Sequence, residues 1–218
     1  MSRRSAPATL LALALALAPG CGGASPRPAP IAAGGLPIAP GARLYFESAD
    51  PRGPAEMTVG IVGMGGSLTF ELACGHVEPA RRLASPTTGI VDATTLAEGR
   101  DVYSIDRCDR AELHEGGALP AFLVSRRSLR ALDRHERTLL RIERHGSAVA
   151  LMPLAHESLS VRVDGRPTAI DTIHARGGGM DLWIADAGTP IVVREVDHER
   201  GFTLAGIDTG ASEPRARP

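Results

Sequence analysis

The residues that could carry acid–base or metal chemistry in this 218-residue chain are spread out rather than grouped. Its seven histidines form no H-x-x-x-H or H-E-x-x-H pattern, and none lies near a C-x-x-C pair. Several stand near acidic residues, among them His76 with Glu78, His156 with Glu157, and His198 with Asp197 and Glu199. These are predicted to be solvated polar positions at strand ends. The sequence therefore names no catalytic residue and no metal ligand, and leaves open a site assembled from separate strands.

A glycine-rich stretch, VGIVGMGGSLTFELACG, could at first sight cradle a nucleotide phosphate. A dinucleotide fingerprint needs G-x-G-x-x-G followed by a helix. Counting from Gly63 and Gly65, the third glycine position is Leu68, and the residues that follow alternate as a strand does. The stretch is therefore predicted to be a turn between two strands, over Gly63 to Gly66, with at least one glycine at positive φ. We expect no nucleotide partner and no other cofactor.

The two cysteines beyond the leader, Cys74 and Cys108, are most simply a disulfide in an exported protein. Closing that loop would stabilise the fold by about 4 kcal/mol in the chain-entropy model. The alternative is a pair of buried free thiols.

The first twenty-one residues predict export and an anchor. Arg3 and Arg4 precede an apolar run over 8–18, which has signal-peptide length and is too short to span a bilayer. The junction Gly20-Cys21 then resembles the lipobox of bacterial lipoproteins. This resemblance implies a signal peptide over 1–20, lipidation of Cys21, and, because Gly22 replaces the retention signal Asp, outer-membrane localisation facing the periplasm or the surface. The alternative is an ordinary secretory leader with an incidental cysteine.

Composition divides the rest of the chain. Residues 21–41 are rich in Gly, Ala and Pro and are predicted to be a tether, a β-rich domain occupies 42–209, and 210–218 is predicted to be a disordered tail. The formal net charge is −1, and aromatic residues make up only 3% of the chain. The chain therefore has neither the positive net charge nor the number of aromatic side chains that would favour nucleic acid as a partner.

Alternating apolar residues dominate the predicted domain. Leu68, Phe70, Leu72 and Cys74 share one face of a strand, and Leu159, Val161 and Val163 share another. Asp164-Gly165 predicts a tight hairpin, and glycines near 146, 177–179 and 188 mark further turns. One helix is predicted over Ser125–Arg137, with Ser125 as its N-cap. The fold class is mainly β, with about ten antiparallel strands.

The closing segment resembles uncharacterised exported proteins and lipoproteins of GC-rich proteobacteria, on the features Leu182, Trp183, Ile184, Asp186, Pro190, Ile191, Val193, Phe202 and Ile207. It is also distantly similar to LolA-type periplasmic lipoprotein carriers, which implies a strongly curved antiparallel sheet or half-barrel. We expect a non-enzymatic lipoprotein that contacts the membrane through its anchor and binds a hydrophobic ligand or an envelope protein. The rival hypothesis is an envelope hydrolase with a histidine and carboxylates on separate strands.

Overall fold

The structure is a computed structural model, and it describes residues 36, 38–50, 53–76, 86–103, 117–198 and 200–210. The predicted signal peptide, Cys21, Cys108 and most of the predicted tether and tail lie outside these residues. Five residues at the end of the predicted tether are described, namely residue 36 and residues 38–41. Leu36 is buried and Ile38 packs against the core.

The fold is mainly β, as the sequence predicts. Twelve strands are described: β1 (Arg43–Asp50), β2 (Gly53–Met64), β3 (Leu68–His76), β4 (Thr87–Val91), β5 (Asp101–Tyr103), β6 (Ala118–Pro120), β7 (Thr138–Ile142), β8 (Ser147–Val163), β9 (Arg166–Gly177), β10 (Met180–Ala185), β11 (Ile191–Val196) and β12 (Gly201–Asp208). They form one sheet in the order β4-β3-β2-β1-β12-β11-β10-β9-β8-β7-β5-β6. The pairing is antiparallel except for β5 with β6 and β7, and a two-residue contact of β12 with β8.

Two helices are described where one was predicted. α2 (Arg126–Asp133) begins at the predicted N-cap, since Ser125 Oγ accepts a hydrogen bond from Ser128 N at 3.3 Å. It ends four residues before the predicted end because His135 turns the chain with a positive φ of 59°. The helix missed by the sequence analysis is α1 (Ala93–Glu98), a six-residue segment capped by the Asp92 side chain.

The predicted turns join neighbouring strands. Asp164 and Gly165 have φ values of 48° and 78° and connect β8 to β9 in the way a type I′ hairpin requires. Gly65 to Ser67 connect β2 to β3, so the glycine-rich stretch is a hairpin and precedes a strand rather than a helix. The expectation of a positive φ there is wrong. Gly63 lies within β2, and neither it nor Gly65 or Gly66 is in the left-handed region.

The core lies on one face of the curved sheet and is closed by aromatic rings. Leu68, Phe70 and Leu72 are buried as their alternation predicts, and Cys74 packs against the same cluster. The ring of Phe122, which follows β6, lies edge-on to Phe70 at 5.3 Å and is tilted against Phe46 at 6.2 Å. Burying each such side chain contributes roughly 1.5–3 kcal/mol, so this contact ties β1 and β3 to the β6 region.

Candidate functional site

A cluster of ionisable side chains lies where β8, β9 and β10 run side by side. His174 on β9 and Trp183 on β10 stand opposite each other in the strand register. Asp181 stands opposite Arg176 on the same two strands. Glu157 reaches them from β8, whose register shifts between Pro153 and Ala155. Adjacent cross-strand positions on one face of a sheet bring their side chains together, which explains the cluster.

Both ring nitrogens of His174 are hydrogen-bonded to carboxylates. Nδ1 lies 2.9 Å from Glu157 Oε1, and Nε2 lies 2.7 Å from Asp181 Oδ1. Only 9% of the residue is exposed. Ionised carboxylates only accept hydrogen bonds, so the ring satisfies both partners at once when both nitrogens carry protons. The His174 ring therefore bridges the two carboxylates.

Trp183 covers one side of this arrangement. Its indole stacks on the His174 ring with 4.2 Å between centroids and 12° between planes. The indole Nε1 donates a hydrogen bond to Glu157 Oε2 at 2.7 Å, and the Arg194 guanidinium lies 4.8 Å from the indole centroid. Stacked cations and aromatic rings attract each other through the ring quadrupole. The cluster is thus tied together by hydrogen bonds and by ring contacts.

The two carboxylates are stabilised in their charged forms. Hydrogen bonds from Trp183 and then His174 lower the pKa of Glu157. Burial acts to raise the pKa of Asp181, but hydrogen bonds from Arg176 and His174 outweigh it, and the net pKa is lowered. Arg176 Nε donates to Asp181 Oδ1 at 2.8 Å. Each acid therefore stays ionised at neutral pH.

The His174 cluster is better arranged for a structural role than for proton transfer to or from a substrate. A general base needs a ring nitrogen within reach of the proton that it abstracts. Here both nitrogens are occupied by carboxylates, and in the described part of the chain His174 has no hydrogen bond to a serine, threonine or cysteine. A triad-like site would leave one nitrogen facing a nucleophile. Substrate would have to displace a carboxylate before His174 could act.

The sequence pattern does not reveal this cluster, and the prediction for one of its members is wrong. His156 is exposed as predicted, but Glu157 is in the middle of the seventeen-residue strand β8 and is bound to His174 and Trp183. A residue after His156 points to the opposite face of the strand, which explains the different surroundings. Trp183 was singled out only as part of a resemblance. That Trp183 is the single tryptophan of the chain is the sequence signal that was available.

The other predicted sites divide between described and masked residues. Cys74 lies on β3 opposite Met57 of β2 and is half-buried. Its proposed partner Cys108 and the proposed lipidation site Cys21 lie outside the described residues, so the disulfide and the anchor stay predictions. His198 is exposed, whereas Asp197 is half-buried with one carboxylate oxygen 3.8 Å from His145 Nε2.

The described residues bear on partners in two respects. They contain no group of three or more His, Cys, Asp or Glu placed to hold a metal ion. Among the helices described, none has the length and apolar character needed to cross a membrane. No family model, curated protein or solved structure matches the chain.

Proposed function

We propose that this protein is an outer-membrane-anchored lipoprotein whose domain works by binding a hydrophobic ligand or an envelope partner, without catalysis. The anchor is supported by the sequence around Gly20 and Cys21. A thioether-linked diacylglycerol with an added acyl chain would supply more than the two lipid signals that stable anchoring requires. The part of the predicted tether that precedes the buried Leu36 would let the domain reach ligands near the membrane surface.

The binding proposal rests on a group of exposed apolar side chains on β7 and β8. Leu139 on β7 and Met152 and Leu154 on β8 are 44%, 48% and 50% exposed, and we call these three residues the outer patch. Leu139 stands opposite Ala150, which makes Met152 its diagonal neighbour on the same sheet face. Leu139 and Met152 are therefore neighbours on one sheet face, and Leu154 follows two residues further along β8, at its register shift. Exposed apolar groups gathered in this way are typical of binding surfaces.

A small internal cavity also favours the outer patch as the binding surface. The cavity beneath β10 and β11, lined by residues that include Tyr103, Leu123 and Met180, has a volume of about 20 Å³. That is about enough for one water molecule and far too small for an alkyl chain. This cavity therefore leaves no room for an alkyl chain, and we expect an apolar ligand to bind on the outer patch instead.

The rival hydrolase hypothesis is weaker on this geometry. A histidine does meet two carboxylates across separate strands, as that hypothesis requires. However, both nitrogens of His174 are engaged and its ring is covered by Trp183. We expect a purified His174→Gln variant to match the parent in assays with ester, phosphoester and peptide substrates. Turnover that depends on His174 would favour the hydrolase instead.

The anchor is tested by replacing the lipidated residue. We expect Cys21→Ala to abolish incorporation of radiolabelled palmitate and to move the protein from the membrane to the soluble envelope fraction. Ser25→Ala is the matched control, because it changes a residue close to the anchor and leaves the Gly20-Cys21 junction intact. A Cys21→Ala protein that still fractionates with membranes and takes up label would refute the anchor.

The outer patch is tested with an uncharged, environment-sensitive dye such as Nile red. We expect the double variant Met152→Ser/Leu154→Ser to lose more than about half of the dye fluorescence, because exposed apolar area drives such binding. Val62→Ser is the control, since Val62 is 52% exposed but lies on β2, away from the outer patch. Equal losses in both variants, or no loss in either, would refute binding at the outer patch.

A further inference from the structure

A pocket rich in arginine lies beside the outer patch. Its volume is about 250 Å³, and it is formed by one side of α2, the connection from α2 to β7, the start of β7, and the residue before β5. The lining residues are Arg100, Arg127, Ala131, Arg134, Glu136, Arg137, Thr138 and Leu139. Four guanidinium groups thus share one depression with a single carboxylate. We call it the arginine pocket.

Internal ion pairs leave much of this positive charge uncompensated. Arg134 Nη2 lies 3.2 Å from Glu136 Oε2, and Arg127 Nη1 lies 2.8 Å from Glu98 Oε2. All four side chains are more than half exposed, so each pair contributes little stability and can exchange partners. Within the part of the chain that the structure describes, Arg100 and Arg137 form no ion pair. Crowding like charges in a depression costs free energy that a bound anion would recover.

Guanidinium groups select the kind of anion. Each presents planar N–H donors that match the oxygens of phosphate or carboxylate, often two bonds at a time. A phosphate offers several oxygens in different directions and so can accept from more than one arginine. The volume of the arginine pocket falls just below the roughly 300–1,000 Å³ of sites that enclose drug-sized ligands. It therefore fits a charged headgroup rather than a whole lipid.

The arginine pocket and the outer patch share one residue. Leu139 lines the arginine pocket and also belongs to the outer patch, which continues along β8 through Met152 and Leu154. A ligand with an anionic head and an alkyl chain would contact both surfaces at once. We propose that the arginine pocket and the outer patch together bind a phosphate-bearing amphipathic lipid, with the phosphate in the pocket and the alkyl part on the patch. This inference rests on the proposed function and specifies its ligand.

The test compares a short-chain lipid with the free anion. Isothermal titration of the full-length Cys21→Ala chain, which lacks the lipid, would use dihexanoylphosphatidylglycerol below its micellar concentration and, separately, inorganic phosphate. We expect both to bind at the same site, with the lipid about tenfold tighter or more, because burying only a few methylene groups on the outer patch accounts for that ratio.

Three variants locate the binding. Arg100→Gln/Arg137→Gln should weaken both ligands about tenfold, since two charge-assisted contacts are lost at a partly exposed site. Leu139→Ser should weaken the lipid and leave phosphate within about twofold. Arg130→Gln is the matched control, because Arg130 is an exposed arginine of α2 outside the pocket and should change neither. Thermal unfolding of each variant checks that the fold is intact.

Each outcome decides the matter. The pattern above supports the proposal. Equal affinity for lipid and phosphate, with no effect of Leu139→Ser, would overturn it in favour of a free-anion site. A loss in Arg130→Gln as large as in the double variant, or no binding of either ligand, would also overturn it. If neither ligand binds but the outer patch still binds the dye, the lipid proposal fails and the proposed function is still supported.

Discussion

Gly89 on the edge strand β4 allows the Phe70 ring to fold over the sheet. The two residues stand opposite each other in the register of β3 and β4. A Cβ added at Gly89 would lie 2.7 and 2.9 Å from Cε1 and Cε2 of that ring and closer still to Cζ. Real Cβ atoms do not approach other atoms so closely, so Gly89→Ala must displace the ring.

The cost follows from what surrounds Phe70. The side chain is fully buried, and Phe122 lies edge-on at 5.3 Å, so the ring cannot move without disturbing a second aromatic contact. Overpacking of this kind costs about 1–3 kcal/mol. Replacing glycine by alanine also restricts the unfolded chain, which returns about 0.4–1 kcal/mol. We expect a net loss of about 1–2 kcal/mol.

Urea and thermal unfolding measure this loss, which should lower the Tm by about 2–8 °C in a domain of this size. Gly65→Ala is the control, because a Cβ there meets nothing within 4 Å and φ is not in the left-handed region. In a Phe70→Leu background the Gly89→Ala penalty should shrink to near zero. A Gly89→Ala protein within about 0.5 kcal/mol of the parent, or an unchanged penalty in that background, would refute the packing argument.

The remaining predictions concern the ion cluster, the cysteines and a helix cap. The folded-state pKa values of Glu157 and Asp181 are depressed, so their contribution is complete above the unfolded values of 4.5 and 3.8 and is lost as the pH falls through the folded values. We expect urea midpoints to decline below about pH 5, and a flat profile down to roughly pH 2 would contradict this. Mass spectrometry of the unreduced mature protein should find one linked peptide pair containing Cys74 and Cys108, whereas two alkylatable thiols would contradict the bridge. Ser125→Ala should cost about 1 kcal/mol by denaturant unfolding because it removes the cap of α2, and an unchanged midpoint would show that the cap contributes nothing.

Local sequence patterns were sufficient to predict the buried face of β3, the β8–β9 hairpin and the start of α2. The alternation through Phe70 and Leu72 identified the buried face of β3, and Asp164-Gly165 located the β8–β9 hairpin. Both depend on periods or turn residues that can be read within a few positions. The same is true of Ser125 at the start of α2. These features need no information about distant parts of the chain.

Features that depend on contacts between distant parts of the chain could not be predicted from local sequence patterns. The strands β5 and β6 have three residues each, too few to show a period, and they pair in parallel. The His174 cluster depends on a register shift in β8 and on the alignment of three strands. The conformation of Gly65 was predicted wrongly because glycine permits a positive φ without requiring one.

The position of β12 in the sheet has a consequence for how the protein is made. This strand comes last in chain order, yet it lies between β1 and β11 and also touches β8. Backbone and side-chain bonds from Thr209 to Asp164 then fasten its end to the tip of the β8–β9 hairpin. A chain that emerges vectorially from its amino end cannot assemble the middle of this sheet until Gly201–Asp208 have also emerged. Such non-local pairing makes folding slow. The middle of the sheet therefore closes late in folding, when β12 pairs with β1 and β11.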